Sequence, residues 1–335
     1  MKQFRRALAL ATVSLVTLAS LAGCGDDTVE TTATEPAAAD TTVAPAASGA
    51  DEEPAAATTA PAATDPAATD ATDGDVAQAI VSLSPTATEI LFAIGAGDQV
   101  IAVDDQSNYP AEAAAKASEL SGYEPNVEAI AAYEPDLVIH DGTTDLAASL
   151  DTLGIANWVG AAAMSFDDIY VQIEQLGAAT GHVAEAAELV ANMQADIAEA
   201  VASVPALETP LAFYHELDPT FYSVTSNTFI GQVYGLFGLR NVADTAEGTS
   251  DYPQLSAEFL ISQSPDLIFL ADTKCCGETV ETVAARPGWD AISAVTNGGV
   301  IELDDDVASR WGPRVVELVE TIAASVNAVA TVTAG

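Results

Sequence analysis

Positive charge is nearly missing from this sequence: nine Lys and Arg stand against 50 Asp and Glu in 335 residues. Nucleic acids and other polyanions are held by clustered cations, so this balance excludes them as partners. Histidine and cysteine are equally scarce, with three of each. No phosphate loop, hydrolase elbow, His-Glu metal helix or nucleophile–base–orienter set is spelled out, so turnover is not expected. Past the N-terminus no apolar run is long enough to span a membrane.

What is present begins with Lys2, Arg5 and Arg6, an apolar run from Ala7 to Leu21, and Leu21-Ala22-Gly23-Cys24. Small residues ahead of a cysteine, after a run too short for a comfortable span, predict a lipoprotein signal peptide over 1–23 and lipidation of Cys24. Residues 24–77 are almost all Ala, Thr, Pro, Asp and Glu, without an aromatic side chain. Such a stretch buries too little surface to offset its ordering entropy and predicts a disordered acidic tether. Losing the signal leaves six cations, Lys116, Arg240, Lys274, Arg286, Arg310 and Arg314, against 50 acids, a formal charge of −44. So much acid suits a solvated surface, and each remaining cation becomes informative.

Two segments match at an offset of 130 residues: Asn126-Val-Glu128-Ala-Ile130 leading to Pro135-Asp136-Leu137-Val138-Ile139, and Ser256-Ala-Glu258-Phe-Leu260 leading to Pro265-Asp266-Leu267-Ile268-Phe269. Each reads as cap, short helix, proline stop and buried parallel strand. A weaker match pairs Ile80–Gly95 with Tyr222–Gly238, both read as strand, polar turn, helix and glycine stop. Ser84 and Pro85 fit a cap and first helical position, and Thr86 with Glu89 offers an overlapping capping box. Between the repeats, Val183, Val190, Ile197 and Val204 recur every seven residues, with Ala186, Met193 and Ala200 filling in. This predicts one long amphipathic helix. The expected fold is α/β: two similar Rossmann-like, parallel-sheet lobes over 78–180 and 206–330, bridged by one helix over 181–205, with a ligand cleft between them. A helical connector permits only modest rocking.

Residues 80–97, 107–111 (SNYPA), 122–139, 252–269 and 308–314 (ASRWGPR) together resemble the helical-spine (class III) ABC-importer binding proteins, which carry cobalamin, ferric siderophores or haem. The resemblance implies an extracytoplasmic, lipid-anchored, monomeric receptor. Its partners would be an ABC permease with its ATPase, a small-molecule solute and, through Cys24, the membrane. It implies no catalytic residue, no resident cofactor and no metal site, the bound solute being a cobalt corrinoid or ferric chelate. It also implies permease docking by one surface glutamate on each lobe, Glu128 and Glu258. An acid in a first helical turn also complements the helix dipole with no partner at all.

Ligands of open α/β sheets bind beyond the strands' carboxyl ends. Ser84, Pro85 and Thr86, with His140, Asp141 and Gly142, are expected on the first lobe. The second lobe offers Tyr222, Tyr252 and the loop holding Lys274, Cys275 and Cys276, with His215 and Glu216 after an apolar strand; His215 is read either as a structural hydrogen-bonder or, at the strand's exit, as a binder of an iron complex or ligand amide. Tyr123 and Tyr252 are read either as aromatic plates against a flat ligand or as half-buried packing. Arg310 and Trp311 match a segment that reaches the cleft in the resembled family, and Arg310 is expected to answer a ligand carboxylate or phosphate. Arg314 is read as structural. Cys275 and Cys276 are expected to form a vicinal disulfide facing the cleft. The charge of the mature chain favours neutral ferric hydroxamates or cobalamin over polyanionic catecholates. Three alternatives stay open: a haem carrier using Tyr123 or His215 as iron ligand, a surface sensor without an importer, and a lipid-anchored hydrolase.

Overall fold

The computed structural model describes residues 76–333. The signal peptide, Cys24 and nearly all of the tether lie outside the described residues. Two four-stranded sheets follow one another, each wholly parallel. The first holds β1 (Ile80–Ser82), β2 (Val100–Val103), β3 (Leu137–His140) and β4 (Asn157–Val159), in the order β2-β1-β3-β4. The second holds β5 (Ala212–Glu216), β6 (Arg240–Asn241), β7 (Leu267–Leu270) and β8 (Val300–Glu302), in the order β6-β5-β7-β8. The orders are equivalent, as the repeat requires.

The 130-residue match has a physical basis at both copies. Asn126 caps the helix Val127–Ala131 through the amides of Glu128 and Ala129, and Ser256 caps Ala257–Gln263 through Phe259. The aspartate of each Pro-Asp pair then holds the central strand of its sheet. Asp136 accepts from Gln78 and Ala79 ahead of β1 at 2.7 and 3.0 Å, and Asp266 accepts from Ala212 at the start of β5 at 2.9 Å. The weaker match fails in its strand. Tyr222–Ser226 is no sheet strand; Tyr222 forms a lone antiparallel bridge with Gln254, and the counterpart of β1 is β5.

The bridging helix runs from Val183 to Ala202 and buries Ala186, Val190, Met193, Ile197 and Ala200. Val183, at its exposed start, belongs to the heptad pattern and not to the buried face. The helix packs between Phe166–Thr180 and the final helix, Val315–Thr333. The largest core cluster is continuous across both lobes, from Ile80, Ile90 and Ile139 through Val190, Met193 and Ile197 to Phe213, Phe269 and Val319. Two smaller clusters cover the outer sheet faces, one around Val81 and Leu150 and one around Tyr214 and Trp289.

In the second lobe the helix Phe229–Gly235 is capped by the Thr228 hydroxyl and docks closely on the turn before it. A Cβ at Gly231 would stand 2.1 Å from the Thr225 carbonyl oxygen and 2.7 Å from the Ser226 Cα. Backbone cannot yield as a side-chain tip does, so Gly231→Ala is expected to cost about 1–3 kcal/mol in urea denaturation. An unchanged midpoint would refute this packing account.

Candidate ligand cleft

Two adjoining chambers lie between the lobes, and both are lined by Ser309, Arg310 and Trp311. The smaller, of about 270 Å³, is polar: Ser84, Thr86, Gln106, Asp141 and Asp306 surround it, with Pro85 and Tyr123. Ser84–Thr86 follow β1, Gln106 follows β2 and Asp141 follows β3, so the first-lobe wall is built at the carboxyl ends of three parallel strands. The larger, of about 330 Å³, is mostly apolar, with Met164, Phe229, Ile230, Tyr252, Trp311 and Leu318 in its wall. Tyr123, in the wall of the smaller chamber, and Tyr252, in that of the larger, are 78% and 53% exposed.

Ser84 does cap the helix Pro85–Ala93, accepting from Ala87 with Pro85 in the first turn. Glu89 does not complete the expected capping box. It lies only 3% exposed and meets Arg310 of the other lobe, with Nη1 2.7 Å from Oε1. The same guanidinium donates to Asn108 Oδ1, to the Gln106 carbonyl at 3.0 Å and to Asp306 at 2.7 Å. Asn108 reaches across to Asp306 as well, at 3.1 Å. Arg310 is therefore corrected from a binder of ligand anions to a clasp between lobes, because protein carboxylates already consume its charge. Burial pushes the Glu89 carboxyl above its usual range, against the hydrogen bond and charge of Arg310 and the charge of Arg314. Asp306 is held below its range: burial opposes this, but the Lys274 hydrogen bond and the Arg310 charge prevail. Arg314 is structural, paired with Glu317 at 3.2 Å and stacked 4.2 Å from the Tyr109 ring centre.

The structure thus brings together Ser84, Pro85, Thr86, Tyr123, Tyr252, Arg310 and Trp311, and leaves six candidates outside the chambers. His215 and Glu216 are fully buried near the end of β5, which carries helical layers on both faces. His215 Nδ1 meets the Tyr234 hydroxyl at 2.8 Å, and burial lowers its pKa to about 4, so it is a neutral core residue. Glu216 is gripped by both terminal nitrogens of Arg286, Nη1 at 2.7 Å, and the guanidinium also holds Glu278 and stacks on Trp289. Neither can touch a cleft ligand. Tyr222 lines neither chamber, its backbone forming the bridge to Gln254, and Lys274 is tied to Asp304 and Asp306. Cys275 and Cys276 are joined by a disulfide on the short, exposed helix Thr273–Cys276, whose first amides rest on Asp305. That plate lines neither chamber. Of the first-lobe loop, Asp141 faces the polar chamber, whereas His140 is buried and accepts from the Gly142 amide at 3.2 Å.

The residues missed are Gln106, Asp306 and Ser309 of the polar chamber and Ala162–Met164, Asn227–Ile230, Asp251, Ala308 and Leu318 of the apolar one. Ala162 to Met164 carry no chemistry-bearing group; the nearest signal is the cap Ser165, which places a loop after β4. Asn227 and Thr228 stand in the polar turn of the weaker repeat, at the position that Pro85 and Thr86 occupy in the first lobe.

A family model for periplasmic binding proteins matches residues 80–307. The Bacillus subtilis protein named "uncharacterized ABC transporter substrate-binding lipoprotein YvrC" is 32% identical over 256 residues, covering 74% of this chain and 79% of its own length. The cobalamin-binding protein of Halobacterium salinarum is 30% identical over 247 residues, 71% of this chain and 66% of its own length. The solved periplasmic vitamin B12 binding protein BtuF of Vibrio cholerae superposes with a TM-score of 0.62 at 26% identity, over 76% of this chain and 98% of its own.

Proposed function

Since the chain belongs to the periplasmic binding protein family, we propose that it captures a cobalamin-like corrinoid outside the cytoplasmic membrane and delivers it to an ABC permease and its ATPase. The carrying observation is the pairing of chambers. One is apolar, the other offers hydroxyl, amide and carboxylate groups, and the cation they share is already neutralised by Glu89 and Asp306. A large neutral chelate with an apolar body and amide edges suits that division, whereas an anionic solute would meet Asp141, Asp251 and Asp306 without a free counter-charge. The names of the relatives support the same ligand. A neutral ferric hydroxamate is the second reading, supported by the polar chamber. A haem carrier would need an iron ligand, and of the two expected, His215 is buried and unfit, which leaves Tyr123 in the wall of the smaller chamber.

Calorimetric titration with cyanocobalamin, a ferric hydroxamate and haemin tests the ligand. Cyanocobalamin is expected to bind, and Tyr252→Ala to weaken it by about tenfold or more, through loss of an aromatic anchor. Binding of haemin alone, with a Soret shift abolished by Tyr123→Phe, would overturn the corrinoid reading.

Delivery rests on Glu128 and Glu258, which are exposed in the first turns of equivalent helices on the two lobes. The double variant Glu128→Ala/Glu258→Ala is expected to bind solute normally and to lose most uptake. Normal uptake would remove these residues from docking. The receptor acts as a monomer held by lipid on Cys24; the described residues contain no helix long and apolar enough to cross a membrane.

A further inference from the structure

We propose that the Cys275–Cys276 disulfide is a thiol–disulfide exchange site, open to an extracytoplasmic dithiol, and that its reduction loosens the hold of the second lobe on the first. A bond between adjacent residues closes a loop with nothing inside it, so it takes almost no freedom from the unfolded chain and is no staple of the fold. Both residues are exposed, and an exposed disulfide is open to an attacking thiolate. The exchange needs only the dithiol. One of its thiolates attacks a cysteine sulfur; a mixed disulfide forms, the Cys275–Cys276 bond breaks and the second cysteine leaves as a thiolate. The other thiol of the dithiol then displaces the first cysteine, so two electrons and two protons pass to the protein and the dithiol ends as a disulfide.

What the bond holds is a helix of four residues, Thr273–Cys276, too short to persist by itself. Consecutive side chains on a regular helix point about 100° apart and do not face each other, so the joined sulfurs fix a local backbone that free thiols do not require. That backbone faces three consecutive carboxylates. Asp305 accepts from the amides of Thr273, Lys274 and Cys275 at 2.9, 3.0 and 2.9 Å, and the Lys274 ammonium reaches Asp304 and Asp306. Asp306 also belongs to the clasp between the lobes. Its Oδ1 holds Arg310 at 2.7 Å, and its Oδ2 accepts from Lys274 at 2.8 Å and from Asn108 of the first lobe at 3.1 Å. Once the short helix frays, Asp304, Asp305 and Asp306 lose the donors that offset their mutual repulsion. The turn that aims Asp306 and Arg310 across the cleft then loosens with them.

The test is amide hydrogen exchange of the solute-free, full-length protein before and after treatment with dithiothreitol, with thiols counted by mass. Two thiols are expected to appear without denaturant. Residues 304–310 and, in the first lobe, 105–109 should then exchange at least about fivefold faster, while β1 and β7 keep their rates. Cys275→Ser/Cys276→Ser should reproduce the reduced protein. Asp305→Ala should loosen the same segments while the disulfide is intact, and reduction should add nothing further. A disulfide that resists dithiothreitol in the folded protein overturns the proposal, as do unchanged rates at 105–109 after reduction or an equal redox effect in Asp305→Ala. No solute enters the measurement, so the result is independent of which solute the cleft carries.

Discussion

Methionine in place of Arg310 is expected to cost about 3–5 kcal/mol of stability, since it strands a buried carboxylate whose partner has gone. Glu89 is 2% exposed at its side chain and Arg310 is 9%, so water cannot take over the lost bonds. Burial already outweighs the arginines in setting the Glu89 protonation equilibrium, which marks the pair as a constraint on geometry more than a net gain. The double variant Glu89→Gln/Arg310→Met is therefore expected to recover a large part of the loss. Solute affinity should fall with the single change, because Arg310 lines both chambers and its bonds to Gln106 and Asn108 fix the lobes across them. Urea denaturation of the three proteins checks the ordering. A single variant within about half a kcal/mol of the parent would remove the clasp.

The second large effect is a pH dependence centred on Asp272. Its carboxylate is fully buried and neither oxygen has a hydrogen-bond partner. Burial first, then the neighbouring charges of Glu216 and Glu278, push its pKa up to about 7, with Arg286 acting against them. Tyr214 completes the surroundings, and burial keeps its hydroxyl neutral. A folded-state pKa above the unfolded value means that the native protein holds this proton more tightly. The contribution to stability is therefore full below about pH 4 and is lost as pH rises to about 7, by up to about 4 kcal/mol. Asp272→Asn removes the titration. It is expected to stabilise the protein by about 2–4 kcal/mol near pH 8 and to change little near pH 4. Thermal melts of both proteins across that range read the difference directly, free of the many surface acids they share. Parallel curves would show that Asp272 does not carry a shifted proton.

Much of this architecture could be read from residue order alone, and the parts that could not have a common cause. The caps Asn126 and Ser256 are satisfied by amides two or three residues away, and the Pro-Asp pairs and the heptad of the bridging helix are written as local patterns, although Asp136 and Asp266 bond amides far along the chain. They located both sheets and the connector. Glu216, and the ligand-binding alternative for His215, fail because β5 continues through Glu216 inside the core, and sequence does not show how far that cover extends. The structural hydrogen bond expected of His215 is made to Tyr234. Arg310 was recognised as an interior cation, but its partner Glu89 lies 221 residues away and is invisible to spacing rules. The disulfide was foreseen from adjacency, whereas its distance from the cleft depends on how Asp305 seats the short helix. Ser84, Thr86 and Tyr252 were found because strand-end loops are where a doubly covered sheet leaves side chains free, and Tyr123 through the resemblance, just ahead of the helix Val127–Ala131.

The apolar layer that runs unbroken from Ile139 through Met193 to Phe269 makes the duplicated halves inseparable. Each has its own sheet, yet either one expressed by itself would present that layer to water and precipitate or collapse. A protease nick between the bridging helix and β5 should leave the two fragments associated, and calorimetry should record a single melting peak for the two lobes.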